Sequence, residues 1–437
     1  MRSISLAKAR NNITMLDIKF VRENIDLIKD TLAKRQKDPL RVDKLLLLDN
    51  ERRSLIGALE SIRKEKNVLS KNLPSREEKE KAIQLKKTEQ NLEEELKQKE
   101  ESYKNILYKI PNLVHPNTPI GKNEADNKVL RSWGKPKEFD FPVKNHLEIG
   151  VDLGIIDMET AGKITGAKFG YLKNEGALLE FALINLVMIT ITDEKQLKNR
   201  PFIPVIPPIM IKPEVFTRMG RLDPGQEEER YFLPKDNLYL IGSAEHTLGP
   251  MHMDTVLDEE DLPLRYVGFS TSLRREAGSY GKYSQGIFRV HQFDKLEMES
   301  FTLPEESEKE QDLIVSLQEK LMQSLEIPYQ VMAVCTGDMG DPDFRQIDIN
   351  AWLPSTKEYK ETHTSDLMTD YQSRRLSTRV KRKNGQIEFV HMNDATAFAI
   401  GRTIIAILEN YQQEDGSVII PKVLVPYMMG KEVISKK

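Results

Sequence analysis

Two long stretches near the N-terminus repeat their apolar residues at the alternating three- and four-type spacings of a coiled coil. Leu45, Leu48, Leu55, Leu59, Ile62 and Leu69 form one seam, with Arg52 and Lys66 at intervening positions, and Leu85, Leu92, Leu96, Tyr103, Ile106 and Ile110 form a second from Arg76 onward. Asn72, Leu73, Pro74 and Ser75 break the run, so the two helices must fold back on each other. At ~1.5 Å per residue each helix is on the order of 50 Å long, and such a hairpin should project into solvent. Periodicity alone weighs a dimerisation device and a recognition arm equally. A shorter amphipathic helix from Leu16 to about Lys34 leads in, with Phe20, Ile25, Leu27 and Ile28 as its apolar side.

Beyond the arm the pattern changes. IPNLVHPNTPIG carries three prolines and opens an extended linker, and a second domain begins near Phe141. A long apolar helix from about Ala177 to Ile191 precedes FIPVIPPIMI, an edge-like strand because Pro207 and Pro208 lack the donor a ladder needs. From Leu273 to Glu297 two strands are joined by a loop punctuated by Gly278, Gly281 and Gly286. Alternation puts Arg274 and Glu276 on one face of the first strand, and Phe293, Lys295 and Glu297 on one face of the second. The opposite face of the second strand holds Gln292 and Asp294 beside Val290 and Leu296, so a simple solvated hairpin fits poorly. Asn384-Gly385 is a two-residue turn signal between later strands. HMNDATAFAIGRTIIAILENYQQ reads as an apolar helix opened by a polar turn, with Arg402 inside it. The fold class is α+β: a helical hairpin, then an antiparallel sheet flanked by helices.

Composition narrows the classes. The 437 residues hold 65 basic and 68 acidic side chains, a net charge of −3, so nucleic-acid contact must come from local basic patches. The single cysteine, Cys335 in an apolar run, excludes an internal disulfide and a cysteine zinc cage and reads as a core thiol. No stretch approaches the ~20 apolar residues of a membrane span, which points to a soluble, cytoplasmic protein. Residues 1–14 hold Arg2, Lys8 and Arg10 with no acid, a composition shared with transit peptides, although a ragged start is the preferred reading. His246 and His252 lack a third ligand nearby and read as structural.

An arginine chelates phosphate, an aromatic ring stacks on a base, and a carboxylate accepts from an amino group, so the hairpin face is an inventory for a nucleotide plus an amine. Here RREAGSYGK followed by FRVHQF resembles motif 2 of the seryl-tRNA synthetases, a class II aminoacyl-tRNA synthetase family. The resemblance runs from about Met15 to the C-terminal PKVLVPYMMGKEVI, and Pro207 and Pro208 resemble motif 1, the family's dimer-interface element. It implies an arm over residues 15–110 that grips the tRNA, a linker over 111–140, and a class II catalytic domain over 141–437. In such an enzyme Arg274 would hold the α-phosphate and the serine carboxylate, and Phe293 and Arg402 would sandwich the adenine. Glu276 would accept from the adenine amino group, and Glu361 with Thr364 would hold Mg2+. Ser243, Glu245, Glu297, Asp394 and Thr396 would surround the serine, and Arg274, Glu276 and Arg402 would carry the catalysis.

The chain departs from the family pattern at several of these positions. Ser243 stands for threonine, Thr364 for serine, Asp394 and Ala395 for an Asn-Gly pair, and Asn350 for glutamate. In the loop from Ser279 to Gln285, which would guide the acceptor end, Tyr283 and Gln285 replace an aspartate and a basic residue. The implied function is serine-tRNA ligation by a homodimer, with L-serine, ATP and tRNA(Ser) as substrates and selenocysteine tRNA as an open second acceptor. A carrier-protein ligase and a non-catalytic RNA-binding paralogue are the alternatives. The arm argues against the first, and the joint presence of Arg274, Glu276, Phe293, Glu297, Glu361 and Arg402 argues against the second.

Overall fold

A computed structural model describes residues 18–69, 75–193, 197, 200–222, 226–276 and 286–436. Residues 1–14, the break at Asn72 to Pro74 and the loop from Ser279 to Gln285 lie outside the described residues. The chain divides into two compact units, Met1–Leu113 and Val114–Lys437.

The first unit is helical. The lead-in expected as one helix is two, α1 (Ile18–Glu23) and α2 (Ile25–Lys34). Asn24 divides them because its side-chain amide donates to the Phe20 carbonyl at 3.0 Å, and side chains of this kind compete with the backbone ladder. Two long helices follow, α3 (Leu40–Leu69) and α4 (Arg76–Leu107). The start of α4 is sharp: Ser75 accepts from the Glu78 amide and Glu78 reaches back to the Ser75 amide, a reciprocal cap. Every residue of the first seam is at least half-buried, Arg52 and Lys66 included, yet Leu45 and Leu59 alone among its leucines are fully enclosed. Charge fills the rest: Arg52 lies 4.8 Å from the Tyr103 ring, Arg63 pairs with Glu89 and Glu93, and Lys66 pairs with Glu89.

The second unit is built on an eight-stranded sheet. Its strands are β1 (Lys128–Trp133), β2 (Ile203–Val205), β3 (Leu264–Leu273), β4 (Gln292–Thr302), β5 (Tyr329–Ala333), β6 (Arg345–Leu353), β7 (Glu358–Thr369) and β8 (His391–Ala399). They lie in the order β1-β5-β6-β7-β8-β4-β3-β2, antiparallel throughout except that β2 runs parallel to β3. Strand β1 falls in the stretch read from sequence as linker. All six of its residues are exposed on the sheet edge, so no apolar alternation marked it.

One face of the sheet carries the main core. Leu296 and Met298 of β4, Val331 of β5, Ile349 of β6 and Ala395 and Ala397 of β8 pack there against three helices, α5 (Glu175–Ile191), α8 (Ser307–Ser324) and α9 (Ile400–Tyr411). Two short helices, α6 (Pro213–Arg218) and α7 (Glu245–Leu248), precede the central strands in sequence. The expected helix with a polar opening turn is instead strand β8 running directly into α9. Its polar residues Asn393, Asp394 and Thr396 are buried in mid-sheet, and a buried polar strand has no sequence pattern that separates it from a turn. The Asn384-Gly385 hairpin joins residues 379–381 to 387–389 through a three-residue loop, with Arg382 donating to Gln386 and Gly385 at φ +85°, rather than through the two-residue turn expected. Among the described residues no helix is long and apolar enough to cross a membrane.

Candidate active site

The sheet face opposite the main core carries a cleft of about 220 Å³. Strand β4 supplies Phe293, Lys295 and Glu297, which point into it by simple alternation while Leu296 and Met298 point into the core. Strand β8 supplies Asp394 and Thr396, and β7 supplies Glu361, Thr364 and Asp366. Two irregularities set which residues face the cleft. Against β6 the register of β7 passes from His363 to Glu361, leaving Thr362 as an extra residue. Glu361 and Thr364, three apart and hence on opposite faces of a regular strand, are thereby brought to the same side, with Thr364 Oγ1 3.4 Å from Glu361 Oε1. In β8 the extra residue is Ala397, which lets Thr396 pair with Glu297 while Ala397 and Phe398 both enter the core. From the core side Gln318 of α8 donates to the carbonyls of Thr364 and Thr396 at 3.0 and 2.7 Å, holding both threonines from behind.

The first strand of the motif 2 hairpin ends at Leu273, short of Arg274 and Glu276. These two reach the cleft through the loop: Arg274 still donates its amide to His291, but Glu276 has φ +47°, a left-handed backbone, and so has left the strand. The Arg274 guanidinium donates to the Gly242 carbonyl at 3.0 Å and lies 5.2 Å from the Phe293 ring. Arg402 donates to the Glu361 carbonyl and carboxylate at 3.0 and 2.9 Å and packs 4.9 Å from the Phe288 ring.

The inner end is enclosed. Ser243, fully buried just before α7, sits behind the cleft wall and donates to Glu245 at 3.1 Å and lies 3.3 Å from Glu297. Oxygens of Glu245, Glu297 and Asp394 come within 4.8 Å of one another. Arg221 meets them with Nη2 at 3.1 Å from Glu245 and 3.3 Å from Asp394, and Lys295 contacts Glu297 and lies 3.9 Å from Glu245. These environments pull the acids apart. Burial disfavours a charged Glu245, but Arg221 and Lys295 override it and hold that carboxyl well below the usual carboxylate range. Burial pushes Glu297 up to about 7 despite Lys295, and raises Asp394 far above its ordinary value, with Glu245 adding to the effect.

Two family models account for most of the chain. Residues 15–114 match the seryl-tRNA synthetase N-terminal domain, and residues 231–411 match the tRNA synthetase class II core domain of the G, H, P, S and T enzymes. A serine–tRNA ligase from Dictyoglomus turgidum is 43% identical over 97% of this chain and 100% of its own length. This chain belongs to the seryl-tRNA synthetase family. Among solved seryl-tRNA synthetases, that of Pyrococcus horikoshii complexed with ATP superposes with a TM-score of 0.88 at 37% identity, over 97% of this chain and all of its own. The cytoplasmic serine–tRNA ligase of Naegleria fowleri in complex with AMP gives 0.85 at 31% identity, over 98% and 100% of the two chains.

In this chain Arg274, Glu276, Phe293, Glu361, Thr364, Arg402, Glu245, Glu297, Asp394 and Thr396 all line one cleft: Arg402 and Thr364 contact Glu361, Arg274 lies against Phe293, and Glu245, Glu297 and Asp394 cluster, with Thr396 paired to Glu297. Sequence reasoning did not single out Arg221, Phe288 or Gln318 as site residues. Arg221 is an isolated cation in a loop, Phe288 falls between recognisable strands, and Gln318 acts through main-chain carbonyls. No spacing flags any of them. Asn350, noted as a departure, pairs with Glu361 across β6 and β7 but is not among the residues that line the cleft.

Proposed function

We propose that this chain activates L-serine with ATP and transfers it to the 3′ end of tRNA(Ser). The observation that supports the reading is that one cleft is lined by arginines, an aromatic ring and exposed oxygen donors on one hand and by a buried cluster of three carboxylates on the other. A serine bound between them would direct its carboxylate at the α-phosphorus of ATP. That oxygen attacks, the bond to the bridging oxygen breaks, and pyrophosphate leaves with the electron pair. Among the residues named, none is needed as a covalent nucleophile, because positioning and charge stabilisation supply the rate.

Arg274 would release its stacking on Phe293 to hold the α-phosphate and the serine carboxylate, and the freed ring would receive the adenine opposite Arg402. Glu276 would accept from the adenine amino group. Glu245 would receive the serine ammonium, while Glu297 and Thr396 would bond its hydroxyl; a pocket built this way rejects alanine because its polar groups would be left unpaired. Glu361 and Thr364 offer a carboxylate and a hydroxyl side by side facing the cleft, the hard oxygen donors that suit Mg2+ bridged to phosphates. When bound there, the ion would neutralise phosphate charge. In the second half-reaction a terminal ribose hydroxyl attacks the adenylate carbonyl and AMP leaves.

The hairpin of α3 and α4 is the proposed tRNA grip, in the cytoplasm, with affinity that falls as salt rises. A homodimer is proposed across α5 and the strand after it, where the large apolar residues Phe181, Ile189 and Ile206 are 62, 55 and 86% exposed. The test is exchange of labelled pyrophosphate into ATP with serine, threonine, alanine or no amino acid. Exchange with serine alone supports the reading; exchange with another amino acid or with none rejects it.

A further inference from the structure

Arg221 reaches the inner end of the cleft because of a local backbone device. Helix α6 ends in a left-handed Gly220 at φ +70°, with the Gly220 amide donating to Thr217 and the Arg221 amide to Phe216, a closure that turns the chain off the helix axis. A Cβ at Gly220 would stand 3.0 Å from the end of the Arg375 side chain, a close approach that a small shift relieves, so it is the left-handed φ that calls for glycine there. The arginine that follows is directed at the buried acids.

The polar residues of the three strands stand in two ranks. Thr364, Thr396 and Glu297 occupy neighbouring positions on β7, β8 and β4, and two residues further along the same faces Asp366, Asp394 and Glu299 lie in cross-strand register. Asp366, Asp394 and Glu299 are buried, and among the described residues neither Glu299 oxygen has a hydrogen-bond partner. Close buried carboxylates cannot all be ionised without a cation between them. Arg221 links the second rank to helix α7: the same Nη2 contacts both Glu245 and Asp394.

We propose that Arg221 is a positioning residue for the amino acid, bridging Glu245 to Asp394 so that Glu245 stays placed and charged for the substrate ammonium. The inference rests on the serine-activating reading above. Lys295 serves Glu297 first, since it contacts that side chain and stands 3.9 Å from Glu245. Without Arg221, Glu245 would face Asp394 and Glu297 across a buried space, and uptake of a proton would remove the charge that attracts the ammonium.

The test is serine- and ATP-dependence of pyrophosphate exchange for Arg221→Met, Arg221→Lys and Arg221→Met/Asp394→Asn, with thermal melting of each. The expected result for Arg221→Met is a serine KM raised roughly 10–100-fold with ATP KM within about threefold, the range for losing a charge-assisted contact to one substrate only. Arg221→Lys should recover part of the serine KM. The double variant, relieved of the unpaired acid, should melt near the parent temperature while its serine KM stays high. The inference is overturned if serine KM is unchanged in Arg221→Met, if both KM values rise together, or if Asp394→Asn restores serine KM, which would make Arg221 a partner of Asp394 alone. Should Arg221→Met fail to fold, the double variant decides between these outcomes. Absence of serine-dependent exchange in the parent protein would instead reject the functional reading.

Discussion

At the inner end of the cleft Glu245, Glu297 and Asp394 are buried with oxygens within 4.8 Å of one another, whereas at the outer end the Glu361 side chain is 48% exposed. The inner charges are fixed by protein partners, Arg221 and Lys295, before any ligand arrives. The outer groups also hold one another, Arg402 on Glu361, Arg274 on Phe293 and Arg289 on Glu276 at 3.3 Å, but Glu361 and Arg289 do so exposed to solvent. The difference teaches where recognition is preorganised. Buried charge acts through a low dielectric and is insensitive to salt, while exposed charge is screened until the ligand's own phosphates and metal complete the site.

Substitutions at the two ends should therefore differ in size and in kind. The largest expected effect is that of Glu297→Gln, which keeps shape and removes charge: serine kcat/KM should fall about 10²–10³-fold with ATP KM nearly unchanged. Equal loss for both substrates would erase the distinction between the ends. Next comes pH. With Glu297 lying at about 7 because of burial, serine KM should drop up to about tenfold per pH unit towards that value and level off above it. The same group makes the ligand-free protein less stable as pH rises from the ordinary carboxylate range through about 7, because the folded state there binds more protons than the unfolded one. Serine KM and melting temperature, measured together from pH 5.5 to 8.5, should both fall as pH rises towards about 7, so that serine affinity improves while stability declines; ATP KM should not follow.

Effects at the outer end should be smaller. Phe293→Leu should raise ATP KM about fivefold, the lower end of what base stacking on an aromatic contributes. Glu361→Gln should need about threefold more Mg2+ for half-maximal exchange, since an exposed carboxylate is one donor among phosphates and waters. A loss at Glu361 as large as that at Glu297 would mean the outer end is as preorganised as the inner.

How much of this was legible in the sequence follows from the same contrast. The arm was readable because its seam repeats, and the polar face of β4 because alternation is local. The fold class follows from those patterns and from the resemblance to the synthetase family. The parity of β7 and β8 was not readable. Thr362 and Ala397 are ordinary strand residues, and only pairing with a neighbour reveals that each is one too many. For the same reason Glu276 was assigned a strand face that it leaves by a left-handed backbone, and β8 was read as a turn and helix. Arg221 shows the limit most plainly, since its meaning lies in Glu245, 24 positions later, and Asp394, 173 positions later.

The period-two placement of site residues on β4, β7 and β8 also constrains how such a protein can diverge. An insertion or deletion of one residue between Phe293 and Glu299 would carry Lys295 and Glu297 into the core and Leu296 and Met298 into the cleft in a single step. Two existing extra residues, Thr362 and Ala397, already use the shift in parity that a strand can absorb. Descendants of this chain are free to exchange side chains in the cleft one at a time, but changes of length are confined to the connections between strands. New amino-acid preferences in this lineage therefore arise by substitution, and gaps in an alignment of its descendants should skip the three central strands.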